Sequence, residues 1–295
     1  MDSAESAAGP AISGYRLLGL IGRGAIGEVH LAIDPTSSAR VALKTMRLAG
    51  HAEDIGEARR SFLAEAGAAR GLVHPGIVHV LAAGESVGLA WIAMELLAGC
   101  DLVRYTRAAR LLPEPVALRV AERVALALVY AHGRGVVHRD IKPANVMVDW
   151  AADRVTLTDF GIARLADAER TRTGVVLGTP AYMAPEQLAG AAADASGDLY
   201  ALGVMLFELL TGRRPHEGAS MGELLRKVAS EPAPDLRSLR PELPPAWAEL
   251  LAKVLAKRPS ERPADAAALA EALKGLREGA EAGAAGVAKG PKSRD

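Results

Sequence analysis

Apolar and polar residues alternate in short runs from Tyr15 onward. Residues 15–21, 30–33 and 40–46 each read as a strand, with the turn Asp34-Pro35-Thr36-Ser37-Ser38 between the last two. Residues 52–72 instead repeat with a helical period, placing Phe62, Ala66 and Ala69 on one face with Glu65 beside them, and His74-Pro75 ends the run. Residues 76–83 and 88–94 read as two more strands, so the first third of the chain is expected to be a small antiparallel sheet with one main helix. Past the exit Met94-Glu95-Leu96-Leu97-Ala98-Gly99 the period changes. Residues 102–110 predict a short amphipathic helix, 114–132 a long one rich in Ala, Val and Leu, and further helices open at Asp198 and cover 221–230, 246–255 and 264–276. Only 146–148 and 154–158 interrupt them as short strands. The fold class is therefore α+β. One lobe spans 13–97, a larger and mostly helical lobe spans 98–276, and a ligand is expected in the crevice between them. Residues 1–12 are expected to be a flexible N-terminus. Beyond Gly275, Ala, Gly, Glu and Lys dominate without aromatics, so 277–295 is expected to be a disordered tail or the start of a linker. No internal repeat is present.

Composition narrows the functional classes. Lys plus Arg and Asp plus Glu both number 35, so nothing in the overall charge argues for nucleic acid or for an anionic membrane surface. Cys100 is the one cysteine, which leaves no internal disulfide framework and fits a reducing compartment, and the acidic start Met1-Asp2-Ser3-Ala4-Glu5 is unlike a secretory signal. The longest strongly apolar run, 201–210, is interrupted by Glu208 and is about half of the roughly 20 residues a bilayer span needs. A cytoplasmic protein without a membrane segment in this chain is expected.

The chemistry concentrates in His138-Arg139-Asp140-Ile141-Lys142-Pro143-Ala144-Asn145, a polar loop between apolar segments. Asp140 can accept a proton, Lys142 can neutralise an anion, and Asn145 can offer a carbonyl oxygen to a hard cation. Together they suit phosphoryl transfer to a hydroxyl; a salt-bridged surface loop is the plainer alternative. Gly22-Arg23-Gly24-Ala25-Ile26-Gly27-Glu28-Val29 carries a GxGxxG but runs into a strand at His30, not into the helix that a dinucleotide site requires. A glycine hairpin over phosphates, with Val29 covering a base, fits better, and an ordinary hairpin stays open. Lys44 interrupts an apolar strand, so it is either snorkelling or held by an anion, and Glu65 is its natural partner unless that carboxylate is one more solvated helix charge. Asp159, in Asp159-Phe160-Gly161, pairs with Asn145 as a second oxygen donor; two are too few for a dedicated cage but suit Mg²⁺ that also takes nucleotide phosphates. Residues 162–177 lack a clean period and read as a surface loop.

Taken together these residues resemble the eukaryotic-like protein kinase family, and most closely its bacterial Ser/Thr members. The resemblance covers about residues 13–276 and rests on the glycine loop, Val41-Ala42-Leu43-Lys44, Glu65, His138-Arg139-Asp140, Asn145, Asp159-Phe160-Gly161 and Ala184-Pro185-Glu186, in family order. It implies the bilobal kinase fold and an ATP- and Mg²⁺-dependent Ser/Thr protein kinase, with Mn²⁺ as an alternative metal. Residue by residue it implies that Lys44 contacts phosphates and pairs with Glu65, that Asp140 orients or deprotonates the acceptor hydroxyl, and that Lys142 steadies the transferring group. Asn145 and Asp159 would hold the metal, and Thr179 would support Asp140 and Lys142. The nucleotide would lie against Ile21, Gly22, Gly24, Gly27, Val29, Ala42, Met94, Glu95, Leu97 and Met147, with Met94 at the gatekeeper position. Glu186 is expected to pair with Arg262, and Asp198 to brace the His138-Arg139-Asp140 backbone. Arg139 before Asp140 implies a phosphate on the following loop, at Thr171 or Thr173, and a transient homodimer for trans-autophosphorylation. The glycine-loop tip departs from the family pattern, with Ala25-Ile26 where an aromatic is frequent. Many relatives continue into a linker, a membrane helix and a sensor domain, so the chain is expected to be either a stand-alone kinase or a domain of something longer. Two other readings compete. A nucleotide-binding pseudokinase scaffold would lack Lys44, Asp140 or Asp159, and a small-molecule kinase would lack the 178–186 platform; all are present.

Overall fold

The computed structural model of the chain describes residues 11–23, 27–47, 66–67, 69–86, 88–160 and 180–287. Gly24, Glu65, Thr171, Thr173 and Thr179, all singled out by the sequence, lie outside them. The described residues fall into two compact units, one drawn from Met1–Ala98 and Asp159–Gly178, the other from Gly99–Thr158 and Thr179–Asp295.

The first unit is an antiparallel sheet of β1 (Ala11–Ile12), β2 (Tyr15–Arg23), β3 (Glu28–Ile33), β4 (Arg40–Arg47), β5 (Val80–Ser86) and β6 (Leu89–Glu95), in spatial order β1-β2-β3-β4-β6-β5. Period-two alternation divides each strand between the two faces. One face buries Tyr15, Ala32, Val41, Leu43, Trp91 and Ala93 as a core, with the Tyr15 and Trp91 ring centroids 5.1 Å apart. The other face takes the alternate positions. Val29 lies opposite Lys44, Lys44 opposite Ile92, and Ala42 opposite Met94. The N-terminus departs from expectation at its last two residues. Ala11 and Ile12 pair with Arg16 and Tyr15 across a turn in which Ser13 and Gly14 both have positive φ, the backbone that matches strand twist in a two-residue hairpin. Strand β5 also starts later than the apolar pattern suggests. His74 holds the preceding residues in a turn, its Nδ1 accepting from Gly76 N at 3.0 Å and its carbonyl from Ile77 N at 3.0 Å.

The second unit is built on two helices. Helix α1 (Glu114–His132) buries Ala117, Leu118, Val120, Ala121, Val124, Ala125, Ala127, Leu128 and Ala131, a stripe with helical spacing. After the short α2 (Pro185–Leu188), α3 (Ala195–Thr211) is apolar almost all round and correspondingly lies inside the unit, capped by Asp194 on Gly197 N. Helices α4 (Met221–Ser230), α5 (Leu236–Leu239), α6 (Pro245–Val254) and α7 (Ala266–Val287) follow. A small sheet of β7 (Cys100–Asp101), β8 (Val146–Asp149) and β9 (Arg154–Leu157) carries the polar loop that precedes β8.

Two expectations about this unit are corrected, and one further helix is present. The amphipathic helix over 102–110 is instead two 3₁₀ turns, Leu102–Tyr105 and Ala108–Arg110: only Leu102 is buried in them, too narrow a face to hold an α-helix, and the Thr106 hydroxyl closes the first turn on Val103 O at 2.9 Å. The proline-rich 231–245 stretch holds α5, started by Asp235 accepting from Arg237 N. The tail expected to be disordered from 277 is helical to Val287. Its Ala and Glu residues favour helix and Gly279, Gly283 and Gly286 oppose it; α7 packs along α1, and Arg277 donates from Nε to Glu122 Oε2 at 2.7 Å and from Nη1 to Glu281. No helix among the described residues is long and apolar enough to cross a membrane.

Candidate active site

The polar loop of the second unit is shaped from below by one carboxylate. Asp198, in the first turn of α3, is buried, and it accepts from His138 N at 2.8 Å and from Arg139 N at 2.7 Å while lying 2.9 Å from His132 Nε2 at the end of α1. Arg139 stands at φ +70°, a left-handed conformation that is costly for a residue with a Cβ, so these bonds hold a backbone that would otherwise relax. His138 is fully buried. Its Nδ1 accepts from Asp140 N at 3.2 Å, which assigns the ring proton to Nε2, where it is donated to Thr158 O at 2.8 Å.

On this frame Asp140, Lys142 and Asn145 converge. Lys142 Nζ donates to Asp140 Oδ2 at 2.6 Å, and Asn145 Nδ2 donates to the same Oδ2 at 2.8 Å and to Asp140 O at 2.7 Å. Both donors land on one oxygen, so Oδ1 of Asp140 has no partner among the described residues. The Asn145 amide nitrogen is likewise committed to Asp140, which leaves its oxygen as an acceptor. Thr158 fixes Asn145 from the other side, its N and Oγ1 donating to Asn145 O at 2.8 and 3.2 Å. Met147 follows on β8, opposite Asp101 and Thr156.

The first unit carries a second cluster. Lys44 Nζ lies 2.7 Å from Asp159 Oδ1, with the lysine side chain only 14% exposed, so the cation that interrupts the apolar strand is held by an anion. The sequence pointed to Glu65 for that role, which lies outside the described residues; among them the partner is Asp159, 115 positions away. Asp159 itself has φ +60°. An apolar hollow formed by Ala66, Ala69, Val78, Val80, Ile92 and Met94 lies beside Asp159 and Phe160. Gly22, Val29 and Lys44 stand in one cross-strand row, and Ala42 lies next to Met94, which is buried. Gly27 is required by space: a Cβ there would sit 1.8 Å from Thr45 O. Ile21 is exposed on β2. Glu95 closes β6, its N donating to His79 O and its Oε1 accepting from His79 N, both at 2.9 Å; Leu97 follows it.

Two further polar pairs stiffen the second unit. Glu186 and Arg262 form a bidentate pair at 2.6 and 2.7 Å, and the buried guanidinium also donates to Ala256 O, Ser196 O and Lys257 O and lies over the Tyr200 ring. Tyr182 donates its hydroxyl to Glu208. Burial first, and then that bond, pushes the phenol's pKa up, while burial raises the Glu208 carboxyl. This second pair went unread in the sequence, although a lone acid inside the apolar run 201–210 was its signal.

The profile of the protein kinase domain matches residues 15–274. The chain is 42% identical to the serine/threonine-protein kinase PknJ of Mycobacterium tuberculosis over 84% of its length and 43% of that protein. It is 39% identical to the serine/threonine-protein kinase PrkC of Bacillus subtilis over 80% of its length and 36% of that protein. It thus spans less than half the length of these curated relatives. Among solved structures, the kinase domain of Mycobacterium tuberculosis PknI is similar with a TM-score of 0.75 at 33% identity, covering 92% of this chain and 99% of that one. With Asp140, Lys142 and Asn145 drawn together on one loop and Lys44 joined to Asp159, the chain belongs to the protein kinase family, in its bacterial serine/threonine branch.

Proposed function

We propose that this domain transfers the γ-phosphoryl group of ATP to Ser and Thr hydroxyls of proteins, including Thr171 and Thr173 of its own chain, the latter in a transient homodimer. The observation that carries the reading is the Asp140 carboxylate, with Lys142 and Asn145 on Oδ2 and no partner on Oδ1 among the described residues. An acceptor hydroxyl donating to Oδ1 is turned for attack and delivers its proton there as its new bond to the γ-phosphorus forms and the bond from that phosphorus to the departing ADP oxygen breaks. Lys142, two residues on, offers its ammonium to the phosphoryl oxygens where negative charge gathers. Lys44 grips phosphate oxygens from a fixed position, with Glu65 as a further partner, and Thr179 steadies Asp140 and Lys142. Ile21, Val29, Ala42, Met94, Leu97 and Met147 take the apolar faces of the base, Glu95 offers backbone hydrogen bonds, and Gly22, Gly24 and Gly27 let backbone N–H groups approach phosphate. Asn145 and Asp159 are hard oxygen donors, and the commitment of the Asn145 nitrogen to Asp140 leaves the oxygen for a cation, so this donor set fits Mg²⁺, with Mn²⁺ as a substitute. A cation held by these two residues would supply positive charge against the phosphate oxygens of ATP. Acceptors are Ser and Thr, not Tyr, because Lys142 beside Asp140 leaves little room for a phenol ring. Lobes 13–97 and 98–276 and a cytoplasmic setting, which the single Cys100 favours, complete the reading.

The test is incubation of the purified chain with Mg²⁺, ATP and a generic protein substrate, followed by phosphosite mapping. Phosphoserine and phosphothreonine are expected, with rates lowered by about 10²-fold or more in Asp140→Asn. A folded Asp140→Asn variant with parental turnover, or mostly phosphotyrosine, overturns the reading. Replacing Thr171 and Thr173 together by Ala is expected to lower the initial rate reached after preincubation with Mg²⁺ and ATP.

A further inference from the structure

The stretch from Leu102 to Leu112 contains Arg104, Arg107 and Arg110 and no acidic residue. All three arginines are exposed, and none has a hydrogen bond or ion pair through its side chain among the described residues. A fourth cation adjoins them. Gly212, at φ +74°, brings its backbone so close to Ala108 that a Cβ would sit 2.8 Å from Ala108 N, which places the exposed and equally unpaired Arg213 next to the Arg107–Arg110 turn. The Arg213 backbone is held there by the Thr211 hydroxyl, which accepts from Arg213 N at 3.2 Å and lies 2.8 Å from both Arg213 O and Phe207 O, the two acceptors for its single proton. The nearby acids are already engaged: Asp101 caps Val103 N, Glu114 takes Arg240, Glu208 takes Tyr182, and Glu217 faces Arg214.

The patch is also tied to the chemistry. The turn Leu102–Tyr105 packs against Pro143–Asn145, the end of the loop that carries Asp140 and Lys142. Many other arginines of this unit are paired with carboxylates, as in Arg123–Asp153, Arg226–Glu231, Arg262–Glu186 and Arg277–Glu122, whereas Arg134 bonds Tyr130 and Arg237 is unpaired among the described residues, so what sets the four apart is that they lie together. The whole chain is formally neutral, which makes the patch local and not part of a general basic surface. We propose that Arg104, Arg107, Arg110 and Arg213 form the docking surface for an acidic segment of the protein substrate, held beside the residue to be phosphorylated. This rests on the kinase reading above and names its substrate class. The adjacency to the Asp140 loop favours a peptide over other polyanions, since a hydroxyl-bearing chain has to pass that loop.

Exposed charge pairs are individually weak and screened by salt, so four together are expected to shift affinity by about tenfold at low ionic strength. Binding is read first, without catalysis: fluorescence anisotropy with a labelled peptide in which Ala stands at the acceptor position, flanked either by Asp and Glu or by Asn and Gln. The acidic peptide is expected to bind about tenfold tighter. That advantage is expected to vanish in R104A/R107A/R110A/R213A, to reverse toward a Lys-flanked peptide in R104E/R107E/R110E, and to shrink between low and physiological salt. The quadruple variant, checked by circular dichroism, keeps its activity on a second neutral peptide that carries Ser in place of that Ala. No preference in the parent, a preference that survives the Ala variant, or a single-stranded oligonucleotide that binds the patch more tightly than the acidic peptide each overturns the proposal. Because the peptide has no acceptor, loss of phosphoryl transfer bears on the kinase reading alone.

Discussion

An ammonium in the middle of an apolar strand is costly unless an anion meets it, and Lys44 meets Asp159. Lys44→Met keeps the length and apolar stem of the side chain, so the sheet is expected to hold while phosphoryl transfer falls by about 10²-fold or more. Circular dichroism beside a rate measurement checks both halves; a folded Lys44→Met protein with parental turnover contradicts the role. Asp198 is the opposite kind of residue, since it is far from solvent and satisfies three donors at once. Asp198→Ala leaves the buried His138 N and the part-buried Arg139 N without this acceptor, and a buried group so left costs about 1–3 kcal/mol. Urea unfolding is expected to show a loss of at least ~2 kcal/mol in that variant, accompanied by loss of transfer because Arg139 no longer has reason to hold φ +70°.

Among the elements, α2 and the segment before α7 are joined by Glu186 and Arg262. The guanidinium is fully buried and all its nitrogens are bonded, so breaking the pair strands a charge, whereas removing both partners does not. Arg262→Met is expected to cost about 3–5 kcal/mol, and the double change with Glu186→Leu to recover much of it, a comparison that a double-mutant cycle in urea reads directly. Elements whose pattern is strong were legible beforehand: β4 from its alternation about Lys44, α1 from its apolar stripe, α3 from its long apolar run, and the Asp140–Asn145 loop from its density of function. What escaped was set by partners far along the chain. Nothing local at Lys44 pointed to Asp159, and the extension of α7 depends on Glu122, 155 positions from Arg277. The stretch 102–110 misled for a different reason. Its spacing suits an α-helix, but its burial is confined to Leu102, and the turn chemistry of Asp101 and Thr106 prevailed.

For the molecule as a whole, acid sensitivity is expected from a place remote from catalysis. His216 is buried, with Lys257 Nζ 3.1 Å from its Nε2, and burial followed by the Lys257 charge lowers its pKa to about 4. Lys257, which also donates to Val228 O at 2.7 Å, is itself lowered to about 8 by burial and then by Arg262; Glu231 opposes both shifts, and Lys227 adds to that on His216. A histidine whose folded pKa lies below its unfolded value of about 6.5 leaves the unfolded chain binding more protons, so stability falls as pH drops from about 6.5 to about 4, by up to ~3 kcal/mol. Urea midpoints at pH 7 and pH 5 are expected to diverge in the parent and to converge in His216→Gln, whose side-chain oxygen still accepts from Lys257. Time gives Asp198 another meaning. Because its carboxylate is rooted in the innermost helix of the unit, the amide hydrogens of His138 and Arg139 can be lost to solvent only when that helix gives way. In deuterated buffer this loop is therefore expected to keep those two protons for as long as the middle of α3 keeps its own, a loop in sequence that ages at the pace of a core.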